Sequence, residues 1–144
     1  MALEAVPALS TTSRSIKKLT KIRKSRENRQ SITILAMRRA LSDRLSEACA
    51  ASWQAVPPRM LRRTTRCTAR VAFARQAAIY FAHIVFAANL THAGGIFGRD
   101  RTTARHACSK MEDRRDDARI DRAFDALEPA LKCWLESFAS GEAS

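Results

Sequence analysis

Arg99, Arg101, Thr102 and Thr103 are side chains of the types that recognise a nucleic acid duplex. Arginine can neutralise a phosphate or grip guanine, and threonine can hydrogen-bond to a base edge or lay its methyl against thymine. The run follows a turn signal, because three of the four glycines, Gly94, Gly95 and Gly98, fall close together just before it. The spacing predicts a short helix ending near Phe97, a tight turn at Gly98 and a second helix starting at Asp100. Asp100 suits the N-cap, its carboxylate accepting from the amides of Thr102 or Thr103. Such a helix–turn–helix lays its second helix in the major groove, with the N-terminal residues on base edges. Two helices joined by a glycine turn, with a merely solvated polar face, fit these residues equally well.

Other chemistry finds little support. His106 and Cys108 resemble half a metal site, but positions i and i+2 point apart on a helix, and no second pair stands at ligand spacing. No metal is expected. Glu112, Asp113, Asp116 and Asp117 are acidic neighbours, yet Arg114, Arg115 and Arg119 interleave with them, so a solvated helical face is the reading. His83 and His92 read as packing or surface residues. Neither a phosphate-binding G-x-x-x-x-G-K-[ST] loop nor G-x-S-x-G nor H-E-x-x-H occurs. The chain is read as non-enzymatic, with no catalytic residue and no cofactor. Cys49, Cys67, Cys108 and Cys133 lack C-x-x-C spacing and read as reduced, mostly buried thiols of a cytoplasmic protein.

The 144 residues hold 26 Lys+Arg against 14 Asp+Glu, a net charge of +12. That surplus attracts a polyanion, whether nucleic acid, acidic lipid headgroups or an acidic protein, unless it serves solubility alone. Its distribution is uneven. Residues 1–66 carry 15 basic and 4 acidic side chains, a net of +11, while residues 111–144 carry 5 and 9, a net of −4. No apolar run is long enough to span a bilayer, and no membrane partner is expected. Surface attachment through a basic helix is the weaker reading, because that helix's apolar face is expected to pack on the domain.

The elements that must position the reading residues are all helical. Residues 1–30 read as a basic, loosely ordered tail that buries too little to offset ordering. A helix is predicted over about residues 31–54, with Ile34, Met37, Leu41, Leu45, Ala48 and Trp53 inward and Arg38, Arg39, Asp43, Arg44 and Glu47 outward. Pro57-Pro58 stops it. The basic cluster Arg59, Arg62, Arg63, Arg66 and Arg70 lies around this break. Val71 to Ala88 reads as a buried helix whose narrow polar stripe holds Arg75, Gln76 and His83. Ile120, Phe124, Leu127, Leu131, Trp134 and Phe138 recur at helical spacing, and Pro129 predicts a kink or boundary near Leu127–Glu128. The fold class is all-α, a small helical bundle containing a helix–turn–helix. Its organisation is a tail (1–30), an amphipathic helix and linker (31–56) and a DNA-binding domain (57–140).

The stretch from Phe97 to Lys110, Phe-Gly-Arg-Asp-Arg-Thr-Thr-Ala-Arg-His-Ala-Cys-Ser-Lys, resembles the signature F-G-G-R-D-H-T-T-V-x-H-A-C-x-K of the C-terminal DNA-binding domain of DnaA, the bacterial replication initiator. Upstream, the run from Ala74 to Ala82 is similar to the P-R-Q-x-A-M-Y-L-A run of that domain, in the same order and at matching spacing. The resemblance covers about residues 60–115. The termini look closer to small stand-alone proteins carrying this domain without its ATPase.

By this resemblance, Asp100, Arg101, Thr102 and Thr103 are base-reading positions, and Arg99, His106 and Lys110 sit near phosphates. A basic loop reaching the minor groove falls within Arg62–Arg70, among Arg62, Arg63, Arg66 and Arg70. One turn glycine is missing, and Arg101 replaces a histidine, which favours guanine and a different preferred sequence. Ala93, Gly95 and Ala104 replace larger residues and are expected to loosen the motif. The implied function is sequence-preferring binding of double-stranded DNA in transcriptional or replication control, in the cytoplasm on the nucleoid. The alternative is a protein-interaction adaptor, or a degenerate copy with only non-specific DNA binding, whose acidic C-terminal helix docks a protein partner.

Overall fold

Between Pro7 and Pro57 the sequence holds neither proline nor glycine, and one long helix, α1 (Leu9–Trp53), occupies that interval. The computed structural model describes residues 9–65 and 67–140, and every regular element among them is helical. After α1 come α2 (Pro58–Leu61), α3 (Ala69–Ile84), α4 (Leu90–Gly95), α5 (Arg101–Arg114) and α6 (Ala118–Ser140). The chain divides into two units after Arg39. No described helix is long and apolar enough to cross a membrane.

In the first unit, residues 9–30 of the tail read as loosely ordered over 1–30 are helical, and residues 1–8 lie outside the described residues. Every described side chain from 15 to 40 is exposed, so this helix buries no core. It is held by its own backbone ladder and by local contacts. Arg23 Nε donates to Glu27 Oε1 at 3.0 Å, and the Ser31 and Thr33 hydroxyls donate to the carbonyls of Glu27 and Arg29. Ile34 and Met37, expected to point inward, are exposed.

The second unit begins at Ala40, so the boundary read at residue 57 falls inside it. The stripe that α1 buries here differs from the expected one. Ser42, Ser46, Glu47, Ala50 and Ala51 are buried, whereas Ala48 is exposed. Small residues allow close helix approach, and the Ser46 hydroxyl is satisfied by donating to the Ser42 carbonyl at 2.9 Å. α1 ends ahead of Pro57, through Ala55 in the left-handed region (φ 51°) and a bond from Val56 N to Ala51 O.

α3 is the central helix, buried along most of its length from Val71 to Ala82. Phe124 of α6 lies among Trp53, Tyr80 and Phe81, with ring centroids 5.1–5.3 Å away, and these aromatics anchor the core. Where a kink or boundary was expected, α6 continues through Pro129 as one helix. Buried Phe124 and Leu131 on either side of the proline offset the hydrogen bond it cannot donate. Glu112, Asp113, Asp116 and Asp117 are exposed, as a solvated face requires, but Arg115 among them is a tether. Its guanidinium donates to Asp121, Asp125 and Glu128 of α6 and to the Tyr80 hydroxyl of α3, at 2.7–3.2 Å. The Tyr80 hydroxyl, and the carboxylates with it, hold Arg115 still more firmly in its charged form, while burial pushes the Tyr80 hydroxyl itself up.

Candidate nucleic-acid interface

The turn lies where the glycines placed it. α4 ends at Gly95, Gly98 takes φ +64°, and Asp100 is the N-cap of α5. Asp100 Oδ1 accepts from the Thr103 amide at 2.6 Å. That hydrogen bond holds the Asp100 carboxyl below its ordinary value. Asp100, Arg101, Thr102 and Thr103 are all exposed at this first turn. The opposite face, Ala104, Ala107, Cys108 and Met111, is buried.

The closeness of α4 and α5 depends on Gly94. A Cβ there would stand 2.7 Å from the Arg99 carbonyl oxygen, 2.9 Å from that of Asp100 and 3.2 Å from the Ala104 methyl. The Gly94 carbonyl also accepts from the Phe97 and Arg99 amides. Ala93 and Ala104, expected to loosen the motif, are fully buried, and Ala104 forms one side of this tight seam. Small side chains here permit contact between the helix backbones.

Arg99, Thr103 and His106 line a cavity of about 150 Å³ between α3 and α5, together with Gln76. The structure thus brings Arg99 and His106 together, while Lys110 is exposed one turn farther along α5. Gln76 was read only as part of a polar stripe. Its place in the lining of the same cavity as Arg99 depends on how α3 packs against α5, which local spacing does not reveal.

The arginines between α1 and α3 separate by role. Arg62 donates from Nε and Nη2 to both carboxylate oxygens of Glu47, at 2.6 and 2.7 Å. The Glu47 side chain is only 5% exposed and that of Arg62 is 45% exposed. This bond to Glu47 raises the Arg62 pKa. Glu47, read as outward, is therefore a buried partner. Arg75, also read as part of the polar stripe, is only 7% exposed. Its guanidinium donates to the carbonyls of Leu61 (2.6 Å), Arg63 (3.0 Å) and Met60 (3.4 Å), and so holds the end of α2 and the start of the basic loop. Arg63 and Arg70 are exposed, and Arg66 lies outside the described residues.

His106 is exposed and Cys108 buried, so the two do not converge on a metal. Burial pushes the Cys108 thiol up to about 11. Contrary to the reading of mostly buried thiols, Cys49 and Cys67 are half-buried and Cys133 is exposed. Among the described residues no three His, Cys, Asp or Glu side chains are grouped to hold a metal. His83 Nδ1 donates to the Ala88 carbonyl at 2.7 Å, and His92 Nε2 lies 3.0 Å from both oxygens of Asp43.

A capped, solvent-facing helix set behind a glycine turn on a shorter buried helix defines a helix–turn–helix protein. Residues 43–111 match the family model of the bacterial dnaA protein helix-turn-helix, to which this segment of the chain is similar. No curated protein matches the chain. No solved structure does so either.

Proposed function

We propose that the protein binds double-stranded DNA with sequence preference and acts in the bacterial cytoplasm, on the nucleoid, as a regulator of transcription or replication. The observation that carries this reading is the exposed first turn of α5, where Arg101, Thr102 and Thr103 stand beyond a cap made by Asp100. In this arrangement Arg101 grips guanine through its two acceptors, and the threonines read neighbouring bases. Arg99, His106 and Lys110 hold one phosphate backbone, and Arg63, Arg66 and Arg70 reach the other side of the duplex, into or beside the minor groove. Arg62 supports that loop through Glu47 rather than reaching for DNA.

Selection from random duplex DNA tests the proposal. The wild type enriches a defined motif, and Arg101→Ala loses about 1–3 kcal/mol of discrimination at one base position. Enrichment of nothing, with salt-sensitive binding retained, overturns sequence preference. One observation favours a second reading, docking of a protein partner on acidic α6. Trp134 and Phe138 stack there with centroids 5.4 Å apart and are 40% and 39% exposed.

A further inference from the structure

α5 is a 14-residue helix, long enough to follow the groove beyond its first turn. Opposite its buried face run Arg101, Thr102, Arg105, His106 and Ser109, all exposed. Residues i and i+4 stack on one face of a helix, so Arg105 stands one turn along from Arg101. Neither arginine has a hydrogen-bond or ion-pair partner among the described residues. Some guanidinium groups of this unit are engaged within the fold, Arg62 with Glu47, Arg75 with three carbonyls, Arg114 over the Phe73 ring at 4.6 Å and Arg115 with the carboxylates of α6, whereas Arg101 and Arg105 are among those left to solvent. Thr103 and His106 line the cavity that holds Arg99 and Gln76, and Arg105 lies on the other flank of α5, away from that group.

We infer that Arg105 is a second guanine-reading arginine, extending the sequence-reading strip one turn past Thr103. The inference rests on the duplex-reading proposal above. Four helical residues rise about 6 Å, close to two base-pair steps of about 3.4 Å. The preferred site therefore carries guanines about two base pairs apart, one read by Arg101 and the other by Arg105.

The test is a random-duplex selection with the full chain as wild type, Arg105→Ala and Arg105→Lys, followed by titration of the enriched duplexes over a range of salt. The wild type yields a motif with both guanines. Arg105→Ala loses preference at one of them and keeps the other, with discrimination falling between about fivefold and a hundredfold. Arg105→Lys keeps the wild-type salt dependence and weakens the preference for that guanine by less than Arg105→Ala does, because an ammonium reaches the same acceptors without the planar fork. If Arg105→Ala weakens every duplex alike and flattens the log–log salt slope by about 0.9, Arg105 is a phosphate contact and the inference is overturned. A wild-type motif unchanged in Arg105→Ala overturns this inference alone. A wild type that enriches no motif overturns the duplex-reading proposal together with it.

Discussion

Asp100 and Arg62 show how much a single side chain's partners decide its use. Asp100 was legible as a cap because its acceptor and the Thr103 amide lie three residues apart, within the reach of local rules. Its lowered pKa fixes a sign. The charged cap stabilises the start of α5 above the ordinary value of 3.8 and is lost as pH falls through the lower folded value. Asparagine also caps but does not titrate. Thermal melts between pH 7 and pH 2 should therefore show the wild type losing stability relative to Asp100→Asn only below about pH 4. Parallel melts across that range would count against the cap. Arg62 was read as a DNA contact because it falls in the stretch that resembles the family's basic loop, whereas its partner Glu47 lies 15 residues away. Arg62→Ala strands a nearly buried carboxylate and is expected to lower stability by about 1–3 kcal/mol, less than for a fully buried pair because the guanidinium is half open to water. Arg63→Ala should leave the denaturation midpoint unchanged and flatten the salt slope of DNA binding by about 0.9. Equal effects of the two variants in both assays would contradict this division.

Between elements, the decisive feature is the seam of α4 against the start of α5. Three nearby glycines announced a turn, but their roles differ. Gly98 supplies a left-handed residue, Gly94 supplies absence of a side chain, and Gly95 faces open space. Gly94→Ala forces its Cβ onto backbone carbonyls that cannot move separately from α5, so about 1–3 kcal/mol of stability should be lost, together with DNA affinity. Gly95→Ala meets nothing within 4 Å and should gain about 0.4–1 kcal/mol by limiting the unfolded chain. Chemical denaturation of the two variants checks this contrast, and a Gly94→Ala protein as stable as wild type would refute the seam. Helix existence was legible from apolar spacing, but which face packs was less so. α1 buries Ser42 and Ser46, where small side chains allow close approach, and exposes Ile34 and Met37, which lie in the stretch whose described side chains bury no core. Arg75 and Arg115 act between elements as well. One ties α3 to the α2 carbonyls, the other ties α6 to α3, and both would pass in sequence for surface charges.

For the whole molecule, charge and core are separated along the chain. Residues 15–39 carry many of the basic side chains and none of the core, while every buried residue among those described lies in the unit from Ala40 onward. Removing residues 1–39 should therefore leave the cooperative unfolding of the second unit intact. It should flatten the salt slope of DNA binding by about 0.9 for each phosphate contact removed, with the enriched motif unchanged. A truncated protein whose motif changes would place sequence reading in the basic helix as well. The sequence by itself determined that the protein is all-helical, that a glycine turn precedes a capped helix, and that Arg101, Thr102 and Thr103 face outward there. Periodicity, capping and turn formation act over a few neighbouring residues, and net charge requires only counting. Only the tertiary structure decided which arginines are occupied within the fold, why Gly94 must be glycine, and that Gln76 and Arg99 line one cavity. Those outcomes depend on atoms brought together from distant parts of the chain, at separations where a single Cβ or carbonyl oxygen changes the result.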